Sequence, residues 1–87
     1  MESDPYASFR EKLNQEYTWP AMYMFKFIAP AERKRELEDL FPGESMYCRQ
    51  SGKGNYVSIT VTLRITSADA VIALYRKAAS IPGLIAL

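Results

Sequence analysis

From Tyr56 to Ile65 the chain alternates without interruption. Val57, Ile59, Val61, Leu63 and Ile65 form one set, and Tyr56, Ser58, Thr60, Thr62 and Arg64 the other. A period of two over this length, rich in β-branched side chains, predicts a strand with one face in a core. A second alternating run spans Met22 to Ala29. Tyr23, Phe25 and Phe27 point one way, and Met22, Met24, Lys26 and Ile28 the other. Both sets are largely apolar, which predicts a central strand whose wetter face is marked by Lys26.

Helical spacing takes over elsewhere. Ala68, Val71, Ile72, Tyr75, Ala78 and Ala79 recur at i, i+3 and i+4 and predict the buried stripe of an amphipathic helix. Thr66 with Asp69 makes a capping-box-like entry to it. Pro30 opens another predicted helix, running to about Phe41, with Leu37, Leu40 and Phe41 as its inner edge. The charged run ERKRELED is its solvated face, with Lys34–Glu38 and Arg35–Asp39 as i,i+4 pairs worth roughly 0.2–0.5 kcal/mol each. Near the start, Asp4-Pro5 reads as an N-cap followed by a proline at the first helical position. Tyr6, Phe9 and Leu13 then predict a short helix over 5–16, packed on the domain and closed by Thr18-Trp19-Pro20.

Two shorter segments complete the pattern. Pro42-Gly43 stops the middle helix, and Glu44 to Ser51 predicts a strand with Met46 and Cys48 inward and Tyr47 and Arg49 outward. Ile81-Pro82-Gly83 turns the chain into a last short strand, Leu84 to Leu87. The order is βαββαβ behind an N-terminal helix. Right-handed crossovers put both helices on one side of the sheet. The expectation is therefore α+β: a ferredoxin-like two-layer sandwich over 19–87, with an N-terminal helical extension over 1–18. Its other sheet face is open. By parity that face carries Met22, Met24 and Lys26, then Tyr47 and Arg49, then Tyr56, Ser58, Thr60, Thr62 and Arg64.

Composition narrows the chemistry. At 87 residues and 48% hydrophobic, the chain is one globular domain. Its formal net charge of +1 gives no bulk field to attract nucleic acid or an anionic membrane. No apolar run approaches the ~20 residues of a membrane span, and the N-terminus has no apolar signal core. A cytoplasmic location is expected, and the single cysteine, Cys48, fits a reducing compartment as a small core residue. Histidine is absent. Ser-His and Cys-His nucleophile pairs, an imidazole base and a structural zinc site are thereby excluded. Glu44 and Lys53 are the acid and base left to consider, and nothing in the sequence brings them together. No enzyme activity, cofactor or metal is expected.

The segment SGKGNYVSIT, starting at Ser51, sets a lysine between two glycines. A phosphate-binding P-loop needs its glycine-lysine run between a strand and a helix, whose N-terminus supplies amides and dipole. Here Gly52-Lys53-Gly54-Asn55 leads into a strand, and no Ser or Thr follows Lys53. The P-loop reading fails, and glycine and asparagine are explained by the positive φ of a hairpin turn. A turn alone accounts for the segment; the alternative is a turn that also presents Lys53 and Asn55 to an anion or a partner.

These residues carry a resemblance. Ser51, then Lys53-Gly54-Asn55-Tyr56-x-Ser58-Ile59, is similar to the signature of the small YbeD-like proteins, a domain family of unknown function. Pro20 ahead of a strand with Phe25-Lys26, Leu74-Tyr75 in the last helix and an apolar C-terminal strand ending at Leu87 agree with it. The likeness runs from about Trp19 to Leu87. The crossover from Pro30 to Ser45 is shorter than usual for the family, and the N-terminal helix matches loosely. The resemblance implies a fold like that of ACT domains, ferredoxin-like modules that bind small molecules at subunit interfaces to regulate enzymes. ACT sites commonly place a glycine at the turn out of the first strand. This chain has Ile28-Ala29-Pro30-Ala31 there, so no ligand site is implied at that turn.

The expected function is that of a non-catalytic binding or regulatory module, taking a small-molecule effector or a protein partner and self-associating as a dimer. Lys53, Gly54, Asn55 and Tyr56 in the hairpin are the candidate contact residues, with Lys26, Tyr47, Arg49, Ser58 and Arg64 on the open face. The alternative is a single-stranded RNA binder that stacks bases on Tyr47 and Tyr56 beside Arg49 and Arg64. The near-zero net charge, and the missing RNA-recognition signature, argue against it.

Overall fold

The computed structural model describes residues 4–87, so the first three residues of the 1–18 segment lie outside the described residues. The elements, in chain order, are helix α1 (Ala7–Glu16), strand β1 (Ala21–Pro30), a 3₁₀ turn (Ala31–Arg33) running into helix α2 (Lys34–Glu38), strands β2 (Tyr47–Gln50) and β3 (Tyr56–Ile65), helix α3 (Ala68–Ala79) and strand β4 (Ile85–Ala86). The fold is α+β. The strands make one four-stranded sheet in the order β2-β3-β1-β4, and every neighbouring pair is antiparallel.

Register puts the apolar set of each long strand on the same face. Phe25 sits opposite Val61, Phe27 opposite Ile59 and Ala29 opposite Val57. All six are fully or almost fully buried, and the helical layer covers them with Leu37, Phe41, Ala68, Val71, Ile72 and Ala78. Phe25, Phe27, Phe41 and Tyr75 form the aromatic centre, with Phe25 and Phe41 ring centroids 5.4 Å apart and Phe27 and Tyr75 5.6 Å apart. Beside this cluster the Tyr23 and Tyr75 hydroxyls are 3.1 Å apart.

The N-terminal helix packs on the domain, as its apolar stripe predicts. Leu13 enters the core, and Phe9 meets Tyr75 edge to face at 5.5 Å. Ion pairs fasten the same contact: Arg10 Nη1 reaches Asp4 at 2.6 Å and Arg10 Nε reaches Asp69 of α3 at 2.7 Å. Arg76 of α3 lies 3.6 Å from Asp4 and over the Tyr6 ring. The helix begins later than expected, at Ala7. Asp4 does not cap it; its carboxylate accepts the Tyr6 N–H at 2.9 Å and its carbonyl accepts the Ala7 N–H at 3.1 Å, closing a turn ahead of the helix.

The first crossover departs furthest from its sequence pattern. Pro30 does not open a helix: with φ −54° and ψ 141° it is extended, the last residue of β1, paired with Tyr56. A 3₁₀ turn and the short α2 replace the longer helix expected to Phe41, because apolar side chains come only at its end. The ion pair on this segment joins Arg33 to Glu36 at 3.0 Å, in place of the i,i+4 pairs of Lys34 and Arg35.

Four smaller corrections follow from edges and ends. Strand β2 spans only Tyr47–Gln50, and Cys48 is exposed. Its parity is the expected one, opposite Ile59, but β2 is an edge strand and its residues are all exposed. The N-cap of α3 is Ser67, whose hydroxyl accepts the Ala70 N–H at 3.1 Å; Thr66 stands one residue too early. Ala79, expected in the buried stripe, is exposed, and it faces a hollow of about 520 Å³ bordered by Phe9, Tyr75 and Leu84. The last strand is reduced to Ile85–Ala86.

Candidate binding face

The hairpin joining β2 and β3 is a turn, as its glycines require. The Gly54 N–H donates to the Ser51 carbonyl at 2.9 Å, and Gly54 holds φ +73°. Ser51 closes the loop twice, its N–H donating to the Tyr56 carbonyl at 2.9 Å and its hydroxyl accepting the Tyr56 N–H at 3.2 Å. The Asn55 carbonyl accepts the Ala31 N–H at 2.9 Å, which ties the turn to the end of β1. Lys53, Gly54 and Asn55 are exposed. Glu44 and Lys53 lie beyond opposite ends of β2, in separate loops.

The sheet face away from the helices is built row by row. Arg49 of β2 stands opposite Ser58, Ser58 opposite Ile28, and Ile28 opposite Ile85. In the next row Tyr47 faces Thr60 and Thr60 faces Lys26, whose carbonyl accepts the Leu87 N–H at 2.9 Å. Met24 then pairs with Thr62, and Met22 with Arg64. The open-face residues expected from parity are thus brought onto one surface. Ile28, Ile85 and Leu87 join it. Ile28 was legible, since it shares the parity of Lys26, whereas Ile85 and Leu87 needed the β1–β4 register.

Exposure on this face is concentrated in apolar side chains. Among the described residues the large exposed hydrophobics are Met22, Met24, Tyr47, Tyr56, Ile85 and Leu87, from 49% to 66% accessible, and all six lie on this face. Soluble domains rarely gather their exposed apolar side chains on one side without a use for them. At the hairpin end the face dips into an open concavity of about 470 Å³ lined by Ile28, Arg49, Gln50, Ser51, Gly52, Tyr56, Val57 and Ser58. It takes in three of the expected residues, Arg49, Tyr56 and Ser58, and leaves Lys53, Gly54 and Asn55 on the rim side of the turn. The Ser58 hydroxyl donates to the Arg49 backbone carbonyl at 3.4 Å, across the β2–β3 pair.

Among the described residues no group of three or more Cys, Asp or Glu side chains is placed to hold a metal ion, and no helix is long and apolar enough to cross a membrane. The molecule is of the class of small α+β domains with one helix-covered and one open sheet face. The chain belongs to the DUF493 family, proteins of unknown function, whose family model matches residues 14–87; this is the YbeD-like family that the hairpin residues resemble. No curated protein and no solved structure matches it.

Proposed function

We propose that this protein is a non-catalytic binding module of ferredoxin-like, ACT-like build, acting through its open sheet face and the concavity beside the β2–β3 hairpin. The strand order supports the fold reading: β3 lies between β1 and β2, and β1 lies between β3 and β4, so each helical crossover spans one intervening antiparallel strand. That is the split β-α-β arrangement repeated twice. The observation that carries the function is the gathering of all six exposed large hydrophobics on the open face, next to a concavity with Arg49 in its wall. A site with apolar walls and one cation beside them suits a ligand or peptide that is partly apolar and carries an anionic group. Regulation then follows the ACT pattern, with occupancy of the face changing what the module associates with.

Self-association belongs to the same reading and runs through the edge of β2, where exposed backbone can pair with a second copy. A thermal-shift panel of amino acids, nucleotides, common cofactors and a short mixed RNA tests the module directly. A ligand at about 100 Kd stabilises the folded state by about 2.7 kcal/mol, a shift easily read in so small a domain. Arg49→Ala with Tyr56→Ala should abolish the shift, and an undiminished shift would move the site elsewhere. A second reading, single-stranded RNA, draws on exposed Tyr47 and Tyr56 flanked by Arg49 and Arg64. It requires affinity that drops steeply with salt.

A further inference from the structure

The net charge of +1 conceals a separation. The chain has eleven Lys and Arg and ten Asp and Glu, yet among the described residues no acid falls in a strand. The strands hold Lys26, Arg49 and Arg64 as their only charged residues, and all three lie on the open face. The remaining charges of the sequence, none in a described strand, sum to −2. The exposed methionine and aliphatic side chains therefore sit in a wholly cationic setting. Resting on the binding-module reading, we propose that the open face docks an acidic amphipathic helix of another protein, its apolar stripe on Met22, Met24, Ile28 and Ile85 and its carboxylates beside Lys26, Arg49 and Arg64.

The alternatives fit less well. A second copy laid face to face would bring cationic side chain against cationic side chain with no Asp or Glu of either strand set between them, a juxtaposition that costs several kcal/mol. Nucleic acid needs rings where bases would stack. The centre of this face offers Met24, Thr62, Lys26 and Thr60, and its rings, Tyr47 and Tyr56, stand at strand starts. Methionine thioethers and aliphatic chains instead favour apolar side chains, to which flexible methionine adapts readily. Length also suits a helix. From Met22 to Ile28 the strand rises roughly 20 Å, the span of about 13 helical residues.

The test uses a helical peptide of about 18 residues with leucine on one stripe and glutamate flanking it. Its controls are a scrambled-order version, a twin with lysine for each glutamate, and an oligouridylate. Each is titrated into the isotope-labelled full chain, following backbone amides. The acidic peptide is expected to saturate in the micromolar range and to move the amides of Met22, Met24, Lys26, Ile28, Arg49 and Arg64. The scrambled and lysine peptides should bind at least tenfold more weakly. Lys26→Glu with Arg64→Glu, both at exposed positions, should keep the native spectrum and reverse the preference toward the lysine twin. Equal binding of the two twins, or no saturation by the acidic peptide at millimolar concentration, would overturn the inference. So would tighter binding of the oligouridylate to the same amides, or movement of the Met22, Met24, Lys26, Ile28 and Arg64 amides with protein concentration alone. A small-molecule hit in the thermal panel alongside a failed peptide would sink this inference and leave the module reading standing.

Discussion

Tyr23 carries its phenol into the layer between sheet and helices, where it meets the Tyr75 hydroxyl at 3.1 Å. Burial first, and that hydrogen bond second, push its pKa well above the ordinary 10.0. The folded state thus holds this proton more tightly than the unfolded chain does. The stability it contributes is complete below pH 10.0 and is lost as pH rises from there through the folded value. Urea midpoints should therefore fall on alkalinisation above about pH 10, and fall less in Tyr23→Phe. At lower pH that variant should cost about 0.5–1.5 kcal/mol, for one hydrogen bond lost. Phe25, fully buried among Phe27, Phe41 and Tyr75, is a larger matter. Phe25→Ala should cost about 3–5 kcal/mol, against roughly 5–15 for a whole domain, and a chemical melt would show the midpoint shifted far toward zero denaturant, with up to about half the population unfolded in water at the low end. Both residues were placed inward by alternation alone. Cys48 was not read correctly, because parity says which way a side chain points and nothing about whether anything covers it.

At the level of elements, glycines separate two kinds of constraint. Gly54 has φ +73° and open space where a side chain would go, so Gly54→Ala should cost only the left-handed backbone penalty, roughly 1–2 kcal/mol. Gly83 has φ +77°, and a Cβ there would stand 2.9 Å from Pro30 Cγ, so Gly83→Ala should cost more and loosen β4 from β1. Paired thermal melts of the two variants check that order. Helix α1 is held by Leu13 and by the Asp4–Arg10–Asp69 pairs. The Arg10 guanidinium bonded to Asp4, with help from the Tyr6 N–H, keeps the Asp4 carboxyl below its usual 3.8. The grip of this pair is present above pH 3.8 and fades as pH falls below it, so hydrogen exchange in α1 should accelerate in acid before that in β3 does. The long strands and α3 were legible because each has a period to read. The first crossover was not: Pro30 satisfies the rule for a helix start and equally suits the end of a strand, and only pairing with Tyr56 decides between them.

For the whole molecule, the sequence carried the order of elements, and pairing supplied what order cannot: which strands sit at the edges. Because β2 is an edge strand, its short run Tyr47–Gln50 is exposed on both sides, and the open face ends there in Tyr47 and Arg49. The candidate residues on the face were readable from parity, whereas the concavity was not, since it depends on how the hairpin rises beside Ile28. Arg49→Glu should therefore weaken any anionic ligand of the face while leaving the melting temperature within a degree or two, as an exposed substitution does, and calorimetry beside a thermal melt separates the two effects. The separated charges have a consequence for how neighbours experience this protein. In physiological salt the electrostatic screening length is about 8 Å. The molecule measures 20 Å across its shortest dimension, more than two such lengths. A body approaching the sheet side meets a cationic object, one approaching the helices meets acids and bases in nearly equal number, and the near-neutral total describes only the second.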